Sequence, residues 1–182
     1  MNPIIHAELS WLTAQPLATR RDRLLVTLAG LAPDLDGLTL LAGEDAYGRW
    51  HHVLTHGIVA AVAVTAGCAA FAVERRRVAA LAFGAFHLHL LCDLAGSGPG
   101  WPLYYLWPFS RVEWMWDGQW DLASWQNTTI GLAVTLAVLG CAVWFGRTVV
   151  ELVSLKADAA VVAAVRRRVK RPADVAEGSK RD

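Results

Sequence analysis

The chain has 182 residues, of which 55% are hydrophobic and 18% charged, with a formal net charge of +1. So apolar a composition excludes an ordinary soluble domain of this size and fits a small polytopic membrane protein. Net charge decides little here; the placement of the charges decides orientation.

The chain opens Met-Asn-Pro-Ile-Ile-His, with neither the basic region nor the small-residue cleavage site of a signal peptide, so no segment is expected to be removed. A short N-terminal helix carrying His6 is predicted, followed by Arg20, Arg21 and Arg23. Leu24 to Gly43 is apolar apart from Asp34 and Asp36, which follow Pro33, and Pro33 predicts a broken helix whose freed carbonyls need partners. Val53 to Val73 carries no Asp, Glu, Lys, Arg or His except His56, and Thr128 to Gly146 carries none. Each meets the requirement of roughly 20 apolar residues for a membrane span. Val78 to Ala95 is equally apolar in background but holds His87, His89 and Asp93. Cys68, Cys92 and Cys141 are isolated in apolar stretches and read as small core residues.

Between the third and fourth spans, Gly96-Ser97-Gly98-Pro99-Gly100 breaks the helix, and Trp101, Trp107, Trp114, Trp116, Trp120 and Trp125 follow with Tyr104 and Tyr105. Aromatic residues at this density belong at a membrane interface. Trp101 and Trp107 are the expected substrate contacts of a loop bordering the site. After Arg147 an amphipathic, basic helix is predicted, ending in Arg166-Arg167-Arg168 and Lys170-Arg171, and beyond Pro172 the polar chain is expected to be disordered. The domain reading is thus 1–147 for the membrane-embedded part, 148–171 for the C-terminal helix and 172–182 for the tail. With no folded basic surface, nucleic acid is not an expected partner.

The fold class is therefore all-α, an integral membrane bundle of about four spans with a short N-terminal helix and a cytoplasmic C-terminal helix. Arginines cluster at 20–23, at 75–77 and after the last span, which places these three regions in the cytoplasm. In that topology Asp36 lies about 20 Å beyond Arg23, His89 about 18 Å beyond Arg77, and His56 within about 6 Å of the outer end of its helix. The polar clusters share one depth, near the non-cytoplasmic interface of a bacterial inner membrane. His6, at the outer start of the first helix, joins them.

Ionisable groups at membrane depth cost about 2.5–3.5 kcal/mol each on insertion scales, so several together call for a compensating partner. His89 and Asp93 stand four residues apart and share a helix face, as would His52 and His56; His51 can contribute only from an uncapped helix start. Imidazole and carboxylate donors without a thiolate suit zinc, manganese or iron, as one or two ions.

The runs Gly-Leu-Ala-Pro-Asp-Leu-Asp, His-His-Val-Leu-Thr-His-Gly and His-Leu-Leu-Cys-Asp, with the Gly/Pro-rich loop leading to Trp-Pro, resemble the YdjM-like family of membrane-bound, predicted metal-dependent hydrolases. The resemblance covers His6 to about Ser110 and implies that His6, Asp34, Asp36, His51, His56, His89 and Asp93 form the metal site. His52 stands where the family usually has Arg, and Gly57 where it has Ser. His52 and His87 are left as neighbours of the ligands, and Thr55 as a residue that orients one by hydrogen bonding.

The expected activity is metal-assisted hydrolysis of an ester or phosphoester of a lipid-like substrate at the interface, with membrane lipids as partners. Two alternatives remain at this level, a transporter of metal ions or protons and a haem-binding membrane protein, the latter disfavoured by Asp34, Asp36 and Asp93.

Overall fold

The computed structural model describes residues 1–178. Its helices are α1 (Pro3–Thr13), α2 (Arg20–Leu31), a 3₁₀ segment (Ala32–Ala42), α3 (Glu44–Trp50), α4 (Ile58–Phe71), α5 (Arg75–Gly96), α6 (Trp125–Trp144), a short 3₁₀ turn (Val149–Leu152) and α7 (Leu155–Gly178). Among the described residues there is no strand, only one pair of bonds between Leu103 and Trp114 that ties the long loop to itself.

Among the described residues three segments are long and apolar enough to cross a membrane: Arg20–Ala42, Arg75–Gly96 and Trp125–Trp144. The span expected at Val53–Val73 is shorter than its apolar run. Helix α4 starts at Ile58 rather than Val53 and has 14 residues, because Trp50 to Gly57 forms a turn that delivers three histidines. Helix α3 fills the connection between the 3₁₀ segment and the histidine turn. The break expected at Pro33 takes the form of a tighter 3₁₀ coil, with Pro33 in its first turn, where a missing N–H costs nothing. Helix α7 continues to Gly178, past the expected end of order at Pro172; residues 179–182 of the expected tail lie outside the described residues.

The chain divides into two compact units, Met1–Leu132 and Ala133–Asp182, so the division falls inside α6 rather than after residue 147. In the second unit, Arg166 donates to the carbonyls of Ala142 and Val143, and buried Asp158 accepts from the backbone and hydroxyl of Thr148.

In the first unit α5 is the central element, packed against α1, α2 and α4. Its contact face is made of small residues: Val78, Ala82 and Ala85 meet Ala14, Val26, Ala29 and Cys68. Small side chains let helix backbones approach closely, and this packing holds bundles together where lipid removes the hydrophobic drive between helices. Gly30 is the tightest case, since a Cβ there would overlap the Ser10 hydroxyl of α1. Large apolar side chains such as Val59, Val62, Phe71, Leu91, Leu132 and Leu136 point outward, a surface suited to lipid. All three cysteines are free.

Candidate metal centre

The two ends of the α2–3₁₀ span carry different chemistry, and the 3₁₀ end builds the centre. Thr55 locks the Pro33–Asp36 coil to the histidine turn: its hydroxyl donates to the Pro33 carbonyl at 2.5 Å and accepts from the Asp36 amide at 3.1 Å, while its own amide donates to Asp36 Oδ2 at 3.3 Å. Thr55 thus makes three bonds between the coil and the turn. His52 takes φ +66°, a left-handed conformation uncommon outside glycine, and its carbonyl accepts from Tyr104. Gly57 comes so close to the long loop that a Cβ would stand 2.9 Å from the Tyr105 carbonyl. The Ile58 amide bonds that same carbonyl at 2.8 Å.

The hydrogen bonds sort the seven expected ligands into two groups. Asp36 accepts from His51 Nδ1 at 2.7 Å and from His56 Nδ1 at 2.9 Å, so both of its oxygens are engaged. His89 Nδ1 donates to the Gly30 carbonyl at 2.7 Å. With Nδ1 the protonated nitrogen in both His56 and His89, each ring turns a lone pair on Nε2 toward Asp93. His89 Nε2 lies 2.8 Å and His56 Nε2 3.5 Å from Asp93 Oδ2, yet neither nitrogen has a hydrogen-bond partner. Asp34 Oδ1 stands 3.6 Å from His89 Nε2, and Asp34 Oδ2 is also without a partner.

Asp34, His56, His89 and Asp93 each offer one atom to a group lying within 4.8 Å of one another, so this cluster can hold a metal ion. Two lone pairs and two carboxylates facing one point repel unless a cation lies among them. Donors about 2.0–2.1 Å from a tetrahedral ion are about 3.3 Å apart, and the separations here bracket that value. The other oxygen of Asp93 meets His6 Nε2 at 3.2 Å and the Met1 ammonium at 2.5 Å, so a cation already stands against this carboxylate.

His6 therefore touches Asp93 rather than the convergence point, and its ring stacks on His89 with centroids 3.7 Å apart. No macrocycle fits between those two rings. His51 and Asp36 form an outer layer of hydrogen bonds around His56, though Asp36, His51 and His56 also satisfy the distance test for an ion. His52 Nε2 is 4.0 Å from Asp93 Oδ2, and burial, with His56 beside it, pushes its pKa down to about 3. The expectation that His52 and His56 share a helix face fails because neither is helical. His87 is the clear correction among the expected neighbours of the ligands: Nδ1 donates to the Phe83 carbonyl and Nε2 meets the Tyr105 hydroxyl, on the opposite side of α5 from His89. Two residues of helix rotate a side chain by about 200°, which separates 87 from 89 and aligns 89 with 93.

A cavity of about 500 Å³ opens beside Asp34 and Asp93 and is walled by His51, His52, Tyr47 and Trp101. Trp101 meets His51 and His52 edge-on at 5.7 and 5.6 Å, as expected of a residue bordering the site; Trp107 does not line this cavity. Tyr47, which nothing in the sequence pattern marked, stacks on His51 at 4.5 Å; burial, and then the charges of Asp34, Asp36 and Asp93, raise its pKa, so it remains a hydroxyl donor.

The sequence profile of the YdjM inner membrane protein family matches residues 1–168. The chain belongs to this family. No curated protein and no solved structure matches it. Family membership and the three apolar helices establish a membrane protein, and the family resemblance read from the motifs holds across the whole first unit.

Proposed function

We propose that the protein is a membrane-bound, metal-dependent hydrolase with one zinc ion held by Asp34, His56, His89 and Asp93. The observation that carries this reading is the pair of Nε2 atoms on His56 and His89, oriented by Asp36 and the Gly30 carbonyl and left without partners against Asp93. Imidazole and carboxylate donors in this number suit zinc, with manganese or iron as the alternatives. One ion accounts for the geometry better than two, because Asp36 has both oxygens bonded to imidazole nitrogens.

When bound, the ion supplies Lewis acidity and acidifies a water to a nucleophile near neutral pH. The chain supplies the rest. Asp36 and Gly30 fix the ring tautomers, and His6 steadies the outer oxygen of Asp93. His52 faces the cavity next to Asp93 as a neutral imidazole able to hydrogen-bond substrate, and the Tyr47 hydroxyl and Trp101 ring shape the entrance. Substrate is an ester or phosphoester of a lipid, reached from the non-cytoplasmic interface, with the C-terminus in the cytoplasm as the arginine distribution directs.

The test is elemental analysis of the purified full-length protein together with hydrolysis of bis(p-nitrophenyl) phosphate and p-nitrophenyl butyrate. One equivalent of zinc and hydrolysis of one of the two esters, lost on chelation and restored by zinc, are expected. Folded protein without a first-row metal would sink the proposal; bound metal without hydrolysis, but with metal uptake into proteoliposomes, would replace the enzyme by a transporter.

A further inference from the structure

The metal cavity is not isolated. A second cavity of about 490 Å³ shares His51 and Trp101 with it and runs past Tyr104 to Arg49. A third, of about 520 Å³, shares Arg49 and Tyr104 with the second and ends at Arg111, between Trp50 and Trp107. The three adjoin one another in a row, from the ligand cluster to a pair of arginines.

The far end has a definite chemistry. Arg49 comes from α3 and Arg111 from the long loop, elements brought together only by the fold. Among the described residues neither guanidinium has an ion pair or hydrogen bond, and Glu113, which lines the same cavity, accepts from the Tyr104 hydroxyl at 2.9 Å. Two free guanidiniums facing one cavity present the planar donor forks that bind phosphate oxygens in pairs. Indole rings beside them suit an amphiphile at the membrane interface, with a polar head and an apolar body.

We infer that Arg49 and Arg111 form an anion subsite for the phosphate of a lipid headgroup, joined by the His51–Trp101 passage to the metal cavity. This names a substrate class for the proposed hydrolase and rests on that reading for the chemistry after binding, but the binding itself requires no metal. Trp107 lines the cavity at this anion end.

Equilibrium binding to the full-length protein in dodecyl maltoside tests this, with dihexanoyl phosphatidic acid, dihexanoyl phosphatidylcholine and inorganic phosphate as probes. Phosphatidic acid is expected to bind at least about tenfold more tightly than either of the others, and Arg49→Gln or Arg111→Gln to weaken it about tenfold, each removing a charge-assisted contact. Arg75→Gln, at the other end of α5, should leave it unchanged. Unaltered binding in the Arg49→Gln/Arg111→Gln double variant, equal loss in Arg75→Gln, or equal affinity for phosphatidylcholine would overturn the subsite. Inorganic phosphate binding as tightly as phosphatidic acid would overturn its assignment to a lipid. Repeating the titration with Asp93→Asn separates the two proposals: binding retained without metal supports the subsite whatever becomes of the hydrolase, and binding lost only with the metal overturns an independent subsite.

Discussion

Asp22 and Asp93 are both buried carboxylates in apolar helices, and they are satisfied in opposite ways. Asp22 accepts from the amides of Val73 and Glu74 at 2.8 and 2.9 Å, closing the α4–α5 turn onto α2. Its neighbour Arg23 donates to the carbonyls of Leu17 and Ala18. At that end the polar groups find backbone partners, and the result is a clamp. Asp93 instead faces two imidazole nitrogens that have no hydrogen-bond partners. Burial of a charge is common to both ends; unsatisfied lone pairs belong to one, and these mark a binding site rather than a structural contact.

The largest expected effect breaks the comparison at its functional end. Asp93→Asn removes the charge that faces both Nε2 atoms, so bound zinc should fall at least about a hundredfold in affinity while the protein still inserts and folds; metal content after size-exclusion chromatography reads this directly. Retention of full zinc would mean that the convergence of the four donors is packing alone.

Asp36→Asn tests the orienting layer. An amide can present its oxygen to one imidazole N–H only, so the tautomer of His51 or His56 is released, and zinc affinity should drop about 10–100-fold, measured by competition with a chromophoric chelator. A loss as complete as that of Asp93→Asn would move Asp36 among the direct ligands and revive a second ion.

Asp22→Asn is the counterpart at the clamp. One backbone amide loses its acceptor, and stability should fall by about 1–3 kcal/mol with zinc stoichiometry unchanged, seen as a lower unfolding temperature in detergent. Zinc loss in the folded variant would show that the two ends are coupled.

The smallest effect is expected for His87→Gln. Its ring bonds Phe83 and Tyr105 and touches none of the donors, so zinc affinity should stay within about twofold of wild type, with stability lowered by about 1 kcal/mol. A larger change in affinity would contradict the assignment of His87 to the outer face of α5.

The membrane class, the all-α architecture and the α5 pair His89/Asp93 were legible in the sequence because helical periodicity is local: residues four apart on one helix meet whatever surrounds them. Long uncharged runs likewise announce spans without reference to any partner. The 14 residues of α4 were not legible, because the apolar run continues through Val53 and Leu54 and only the turn geometry at His52 and Gly57 ends the helix. The histidine turn, once non-helical, also overrides the spacing argument for His52 and His56.

Which atoms face one another was decided by the tertiary structure alone. In the family resemblance, seven groups were equal candidates. The fold turns Asp36 into an orienting acceptor, sets His6 against the far oxygen of Asp93, sends His87 to the other side of α5 and leaves Asp34, His56, His89 and Asp93 pointing inward. Gly30 illustrates the reason: its carbonyl fixes the tautomer of a histidine 59 positions away, and its missing side chain admits α1. Such a role depends on the approach of three helices, and hydrogen-bond direction between distant segments has no counterpart in local pattern. Residue types and periodicity determine which polar groups enter the membrane; only packing determines which of them are left with a lone pair to give.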